Sequence, residues 1–314
     1  MKRANVCVIG GGTGLSVLLR GLKTFPVDIS AIVTVADDGG SSGRLRKELN
    51  IPPPGDIRNV LVALSEVEPL VEELFQHRFD DAAGLTGHSL GNLLLAGMSR
   101  ITGDFAQGVQ EISRVLNVKG KVIPASNDHI TLSAEYTDGS IVRGESNIPL
   151  AGKPIRRVYL EPESPRPMPE AVYALEQADL IVLGPGSLYT SIIPSLLVPG
   201  MKEALLNSKA RTVYICNVMT QPGETDHYSV ADHIQAINKH AGGKVVNSVL
   251  INSQKVPGDF AAVYEEQGAS PVEVDEDRLK RMNVQVIADE LVTTAFGAVR
   301  HDAMKVSQRL VSLL

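Results

Sequence analysis

The stretch from residue 5 to residue 16 constrains the fold most. The apolar run Asn5-Val-Cys-Val-Ile9 stops at Gly10-Gly-Gly-Thr-Gly14, and Leu15 and Ser16 lead onward. A short run rich in β-branched residues and bounded by glycine reads as a buried strand of a parallel sheet. Ser16 to Leu22 then reads as a helix. Strand, glycine turn and helix start together make an anion site. The first backbone N–H groups of a helix lack internal partners, the helix dipole favours negative charge, and residues without Cβ let a phosphate approach. Gly10, Gly11, Gly12, Thr13, Gly14 and Leu15 are therefore expected to bind a phosphate or diphosphate, with Thr13 and Ser16 adding hydroxyl donors. The loop is not a dinucleotide fingerprint, because the third glycine of G-x-G-x-x-G is Leu15 in one frame and Val17 in the other; nor does the Lys-Ser/Thr pair of a Walker A loop follow.

A chain of 314 residues can bury a sizeable core. We read residues 1–314 as a single α/β domain with a local β-rich excursion at about 119–161. A formal net charge of −6 and a pI near 5.7 argue against a nucleic-acid partner, which needs a basic surface. No stretch reaches the roughly 18 apolar residues that span a bilayer. Met1-Lys2-Arg3-Ala4-Asn5 runs directly into the first strand, so a secretory signal is not expected and the location is expected to be cytoplasmic. Cys7 and Cys216 lie in apolar strand-like runs and read as small hydrophobes. Aromatic residues are only 4% of the chain, which counts against a large flat ligand such as a flavin.

The second strand, Ile29 to Ala36, ends in Asp37-Asp38-Gly39-Gly40. An acid at the end of strand two, about 20 residues past the glycine loop, is where a nucleotide-binding βαβ unit holds a ribose hydroxyl. Two adjacent carboxylates alternatively collect a hydrated Mg²⁺, or are solvated loop acids. Ser41-Ser42-Gly43-Arg44-Leu45-Arg46 follows as a flexible, hydroxyl-rich, basic loop, which favours the functional readings and adds Ser41, Ser42 and Arg44 to the anion site. After the stiff connector Ile51-Pro-Pro-Pro-Gly, Asp56 is placed to cap the helix near Ile57 or to act chemically. Helical patterning runs from Asn59 to about Phe79, broken near Pro69.

Gly87-His88-Ser89-Leu90-Gly91 matches the G-x-S-x-G elbow of serine hydrolases. Phe79 to Thr86 is no core strand, so the hydrolase reading fails. The segment reads instead as a loop feeding a helix from Leu90 to about Ser99, with Gly87, His88, Ser89 and Asn92 facing the anion site. A helix over Phe105 to Leu116 and strands at Lys121–Pro124, Ile130–Tyr136, Ile141–Arg143 and Ile155–Leu160 follow; we assign no chemistry to this β meander. Alternation resumes with a helix at Ala171–Gln177 and the strand Asp179–Leu183, which ends in Gly184-Pro-Gly186-Ser187. The strand Arg211–Cys216 ends in Asn217-Val-Met-Thr220-Gln221-Pro-Gly-Glu224. A helix at Ser229–His240 and strands at Val245–Asn252 and Val284–Ala288 come next, with Tyr264 in a loop; Ala295 to Arg300 leads into a closing helix from His301. Several strands thus end in Gly, Asn, Thr or Ser, where ligands of open parallel sheets bind.

Five motifs in register make the chain resemble a known family: Gly10-Gly-Gly-Thr-Gly14, Ala36-Asp-Asp-Gly-Gly-Ser-Ser-Gly43, Gly55-Asp-Ile-Arg-Asn59, Gly87-His-Ser-Leu-Gly-Asn92 and Gly184-Pro-Gly-Ser-Leu-Tyr189. Nearly the whole chain resembles the CofD-like (phospholactate-transferase-like) family, most closely its bacterial regulatory branch of YvcK-type gluconeogenesis factors. The resemblance implies a Rossmann-like α/β fold: an open, mostly parallel sheet with helices on both faces and a small β excursion, carrying a nucleotide-diphosphate ligand across the strand ends. In the transferase branch a phospholactyl-type group moves from a guanosine diphosphate donor to a deazaflavin hydroxyl with acidic residues and Mg²⁺. The regulatory branch binds UDP-sugars such as UDP-N-acetylglucosamine and tunes cell-wall precursor synthesis and cell shape during gluconeogenic growth. Asp37 and Asp38 match the acidic pair of both branches, whereas Gly39-Gly-Ser-Ser-Gly43 and then Pro52-Pro-Pro-Gly-Asp56 depart from the transferases. Tyr264 and Arg300 match positions that hold the uridine and diphosphate in the regulatory branch.

Two functions are carried forward. One is a regulator that binds a UDP-sugar and passes its state to an enzyme of amino-sugar or cell-wall precursor synthesis, with a homodimer expected. The other is a transferase whose Mg²⁺, held by Asp37 and Asp38, neutralises a leaving phosphate. An NAD-type dinucleotide shares the diphosphate and would fit the same groove, although no proton relay for hydride transfer is evident.

Overall fold

The computed structural model describes residues 3–67, 69–80, 84–294 and 297–314. β1 (Ala4–Gly10) alternates its side chains as a two-residue period requires: Val6 and Val8 enter one buried layer, Cys7 and Ile9 the other. The chain continues through α1 (Gly12–Leu22), β2 (Val27–Val33), α2 (Gly40–Leu49), α3 (Gly55–Leu64), α4 (Pro69–Gln76), α5 (Leu90–Thr102), α6 (Phe105–Val115) and β3 (Lys121–Pro124). β4 (Thr131–Tyr136), β5 (Ile141–Arg143) and β6 (Ile155–Glu161) form a separate antiparallel sheet in the order β5-β4-β6. Then come α7 (Pro169–Glu176), β7 (Leu180–Leu183), a π-helical turn over Leu188–Ile192, α8 (Ile193–Leu196), α9 (Met201–Asn207) and β8 (Arg211–Ile215). The last part comprises α10 (Val230–Ala241), β9 (Ser248–Asn252), α11 (Gly258–Glu266), α12 (Glu276–Arg281), β10 (Gln285–Asp289), the two-stranded pair β11 (Val292–Thr293) and β12 (Arg300–His301), and α13 (Ala303–Val311).

Among the described residues the main sheet has 7 parallel strands in the order β10-β9-β8-β7-β1-β2-β3. From β1 the chain moves to β2 and β3 on one side, and from β7 to β8, β9 and β10 on the other. The order therefore reverses between β1 and β7, which pair from Val6↔Leu180 to Ile9↔Leu183. Leu15 and Leu19 of α1, Ile57 and Leu61 of α3, and Val306 and Leu310 of α13 cover one face. Leu175, Leu196, Ile234 and Ile237, with Leu132, Ala134 and Val158 of the small sheet, cover the other. This is a Rossmann-like α/β fold with helices on both faces. Cys7 and Cys216 are buried and unpaired by a disulfide. Among the described residues no helix is long and apolar enough to cross a membrane.

Several elements differ from the sequence expectation. α1 begins at Gly12, not Ser16, so the glycines form its first turn rather than a loop before it. The stretch 39–46, expected as a flexible loop, is largely the helix α2, where burial of Ser41, Ser42 and Leu45 outweighs the poor helix propensity of Gly and Ser. β2 ends at Val33, and β3 pairs with β2 in the main sheet, so the separate β excursion begins at Thr131. Tyr264 lies in α11, and the closing helix starts at Ala303 behind its cap Asp302, whose side chain accepts from the N–H groups of Met304 and Lys305. Ala295 and Phe296, expected to lead into that helix, lie outside the described residues, as do Met1, Lys2, Glu68 and part of the segment before Gly87. Ser89 is fully buried and caps α5 through the Asn92 N–H at 3.4 Å, which accounts for the elbow-like motif without a nucleophile.

Candidate functional site

A groove of about 760 Å³ opens at the carboxyl ends of β1 and β7, where the strand order reverses. Gly11, Gly12, Thr13 and Gly14 line it from α1; Gly186 and Ser187 from the turn after β7; and Asn217, Thr220 and Gln221 from the turn after β8. Asp37, Tyr264 and Arg300 line it as well. The glycine loops pack against each other: a Cβ on Gly14 would stand 2.8 Å from the Pro185 carbonyl oxygen. Gly12 has φ +66°, a left-handed conformation that favours glycine.

Four N–H groups at a helix start need outside partners. At α1 the Asp56 carboxylate accepts from Gly12 N–H, while Gly11, the N-cap, has no side chain to offer, so the turn at Thr13 and Gly14 faces the groove. At the π-helical turn after β7, Thr190 Oγ1 donates to Glu224 Oε1 at 3.3 Å, and the Tyr189 and Thr190 amides beside the carboxylate favour its ionised form. Each helix start thus has one of the chain's own carboxylates beside it, and at α1 the turn at Thr13 and Gly14 still lines the groove. Ser187 Oγ accepts from Gln221 Nε2 at 2.7 Å, and Gln221 Oε1 accepts from Asn217 Nδ2 at 3.1 Å, which links the β7 and β8 turns.

One wall is acidic. Asp37 accepts from Gly39 N–H at 2.9 Å, and Asp56, Glu145 and Glu224 also line the groove. Burial, then the Asp37 charge, raises Asp56 to about 6. Burial raises Glu145 to about 8, with further contributions from the charges of Asp37, Asp38, Asp56 and Glu224. Burial raises Glu224 to about 7, opposed by the Thr190 hydroxyl and by the nearby Tyr189 and Thr190 amides. Among the described residues Arg300 is the one lysine or arginine lining the groove. Beside it, burial lowers His301 to about 4 despite a hydrogen bond to the Cys216 backbone, so the ring is neutral near pH 7. Tyr264 Oη accepts from Val299 N–H at 3.2 Å, which fixes its ring at the groove lip.

The other residues that the sequence singles out lie behind the groove lining. Gly10 closes β1, Leu15 is fully buried in the core, and Gly184 sits under the β7 turn. Asp38 turns away from Asp37 and accepts from Ser146 N–H at 3.0 Å. Ser41 Oγ bonds His88 Nδ1 at 2.9 Å and accepts from Asn92 Nδ2 at 3.0 Å, while Ser42 is buried against Gly55. Arg44 donates to the Thr86 carbonyl at 2.6 Å. His88, Asn92 and Ser41 thus form a buried network joining α2 to the start of α5 and do not line the groove. Burial lowers the His88 pKa first, and the Arg44 charge adds to it.

The β excursion, to which the sequence assigned no chemistry, contributes Glu145 and Pro149 to the lining, and Glu145 stands in a short 3₁₀ turn after β5. Asp56 is not the N-cap of α3, which is Pro54; its carboxylate reaches the groove instead. Glu224, Gln267 and His301 also escaped the sequence reading. Only Glu224 had a signal, its place at the end of a polar strand terminus. Among the described residues no group of three His, Cys, Asp or Glu side chains is placed to hold a metal ion. Mg²⁺ is commonly held by one or two carboxylates with substrate phosphates, and Asp37 is the groove-facing member of the acidic pair for such a role.

A family model described as 2-phospho-L-lactate transferase CofD matches residues 6–292. The gluconeogenesis factor of Halalkalibacterium halodurans is 62% identical over 311 residues, covering 99% of this chain and 97% of that protein. The gluconeogenesis factor of Bacillus subtilis is 58% identical over 313 residues, covering 100% of this chain and 99% of that protein. The X-ray crystal structure of a Bacillus halodurans protein superposes with a TM-score of 0.97 at 62% identity, covering 99% of this chain and 100% of that one.

Proposed function

The chain belongs to the CofD family, and from that premise we propose that it is a UDP-sugar-binding regulator acting in carbon metabolism, with UDP-N-acetylglucosamine as a representative ligand. The observation that carries this reading is the groove at the strand-order reversal, with the α1 start open to it and Tyr264 and Arg300 on its lip. The diphosphate lies on the α1 amides and accepts from Arg300, and the uracil stacks on Tyr264. The names of the two relatives support the metabolic setting. The ligand state is passed to an enzyme of amino-sugar or cell-wall precursor synthesis, and the protein works as a homodimer inside the cell.

Isothermal titration with UDP-N-acetylglucosamine, UDP-glucose, NAD and GDP, with and without Mg²⁺, tests the proposal when each mixture is then checked by mass. Saturable UDP-sugar binding with intact ligand is expected. Conversion of the nucleotide, or binding confined to GDP, overturns the regulator reading in favour of the transferase. Two observations favour that second reading: the transferase description of the family model and the presence of Asp37 in the groove. There, Asp37 holds a Mg²⁺ that offsets charge on the leaving phosphate.

A further inference from the structure

The groove carries an imbalance that a diphosphate alone does not use. A diphosphate needs donors and positive charge, which the α1 start and Arg300 supply. Asp37, Glu145 and Glu224 line the same cavity and offer only acceptors when ionised. Glu224 is the most constrained. It is 6% exposed, its Oε1 takes the Thr190 hydroxyl, and its Oε2 has no hydrogen-bond partner among the described residues. A buried carboxylate oxygen without a partner is costly unless a donor reaches it. Glu145 feels the charges of Asp37, Asp38, Asp56 and Glu224, so the acids of the β excursion, the β2 end, α3 and the β8 turn share one field.

We propose that this acidic part of the groove is the subsite for the sugar of the bound nucleotide, that Glu224 and Glu145 accept hydrogen bonds from its hydroxyls, and that the wall rejects sugars bearing a carboxylate. The inference rests on the nucleotide-sugar reading above and adds the class of sugar. Hydroxyl groups are donors that suit a partnerless carboxylate oxygen. A ligand carboxylate would bring a like charge into a partly desolvated cluster of acids and offer no donor in return. The selectivity then comes mainly from repulsion of the wrong ligand.

UDP-glucose and UDP-glucuronate differ only in whether carbon 6 is a hydroxymethyl or a carboxylate. Titration of both, with UDP as a control, at pH 8.5 places the measurement above the values to which burial raises Asp56, Glu145 and Glu224. UDP-glucose is expected to bind at least about tenfold more tightly than UDP-glucuronate. Glu224→Gln and Glu145→Gln are each expected to narrow that ratio, with each sugar nucleotide read against the UDP affinity of the same variant. Glu145 is less buried than Glu224, so its variant keeps the test alive if Glu224→Gln fails to fold. Equal binding of the two sugars by the wild type overturns the subsite, as does an unchanged ratio in the folded variants. A loss of UDP and UDP-glucose affinity in equal measure also overturns it, because the acids would then serve the diphosphate or its cation. Failure of the wild type to bind UDP at all removes the nucleotide-sugar reading, and the subsite falls with it.

Discussion

Tyr264 and Arg300 are separated by a long stretch of chain yet share one lip of the groove, and Tyr264 Oη is tied to Val299 N–H, the neighbour of Arg300. Neither supports the main core, so truncation reports on the ligand rather than on folding. Tyr264→Ala and Arg300→Ala are each expected to weaken UDP-sugar binding by about 1–2 kcal/mol, with little change in melting temperature. Calorimetry paired with thermal melts checks this; an unchanged affinity in both variants removes them from the site. Glu145 gives a second residue-level prediction. Its native pKa is raised to about 8 by burial and neighbouring acids. The native state therefore holds a proton that the unfolded chain releases near its ordinary value. The resulting stability is fully present below that ordinary value and is lost as pH rises towards about 8. Asp56 and Glu224 act in the same direction, with values near 6 and 7. Glu145→Gln is expected to flatten the fall in melting temperature between pH 5 and 8.5, by a change on the order of 3 °C. A fall as steep as that of the wild type would mean that Glu145 does not carry the linkage.

At the scale of elements, the first turn of α1 combines a packing role with a binding one. A Cβ on Gly11 would stand 2.5 Å from Thr34 Cγ2 and 2.6 Å from Asp56 Oδ2, so Gly11→Ala forces the start of α1 away from the end of β2. That overpacking is expected to cost about 1–3 kcal/mol of stability and to abolish measurable UDP-sugar binding. A denaturant midpoint and a titration on the same sample decide it; wild-type behaviour in both would show that the turn yields freely. The buried Ser41–His88–Asn92 network behaves differently, because it joins α2 to α5 without lining the groove. His88→Ala is expected to lower stability by about 1–3 kcal/mol and to change ligand affinity by less than about threefold. A large affinity loss in a variant of normal stability would return His88 to the binding surface. These elements also show what the sequence could and could not convey. The parallel strands were legible because continuous apolar runs ending at polar turns are a local pattern. α2 was not, because Gly40-Ser-Ser-Gly43 has poor intrinsic helix propensity and becomes helical through burial against distant partners.

The whole molecule joins segments that no local pattern connects. The turns after β1, β7 and β8 were readable as polar strand ends, but the adjacency of β1 and β7 that brings two of them together is a property of topology. Asp56 looked like a helix cap, and Glu145 sat in a meander without a chemical signal. Both join the groove only because α3 and the β excursion pack around the end of β2. This arrangement predicts how the ligand should act on the molecule. A UDP-sugar bound only to the native state stabilises it by about 2.7 kcal/mol at a concentration of 100 Kd. For a chain of this size that is a rise of roughly 4 °C in melting temperature. If the excursion is part of the site, hydrogen exchange will slow together at the α1 start, around Glu145 to Pro149, and around Tyr264 and Arg300, while α6 and α12, which contribute nothing to the groove lining, stay unchanged. Slowing at the α1 start without slowing at Glu145 to Pro149 would confine the ligand to the diphosphate position and make the excursion a bystander.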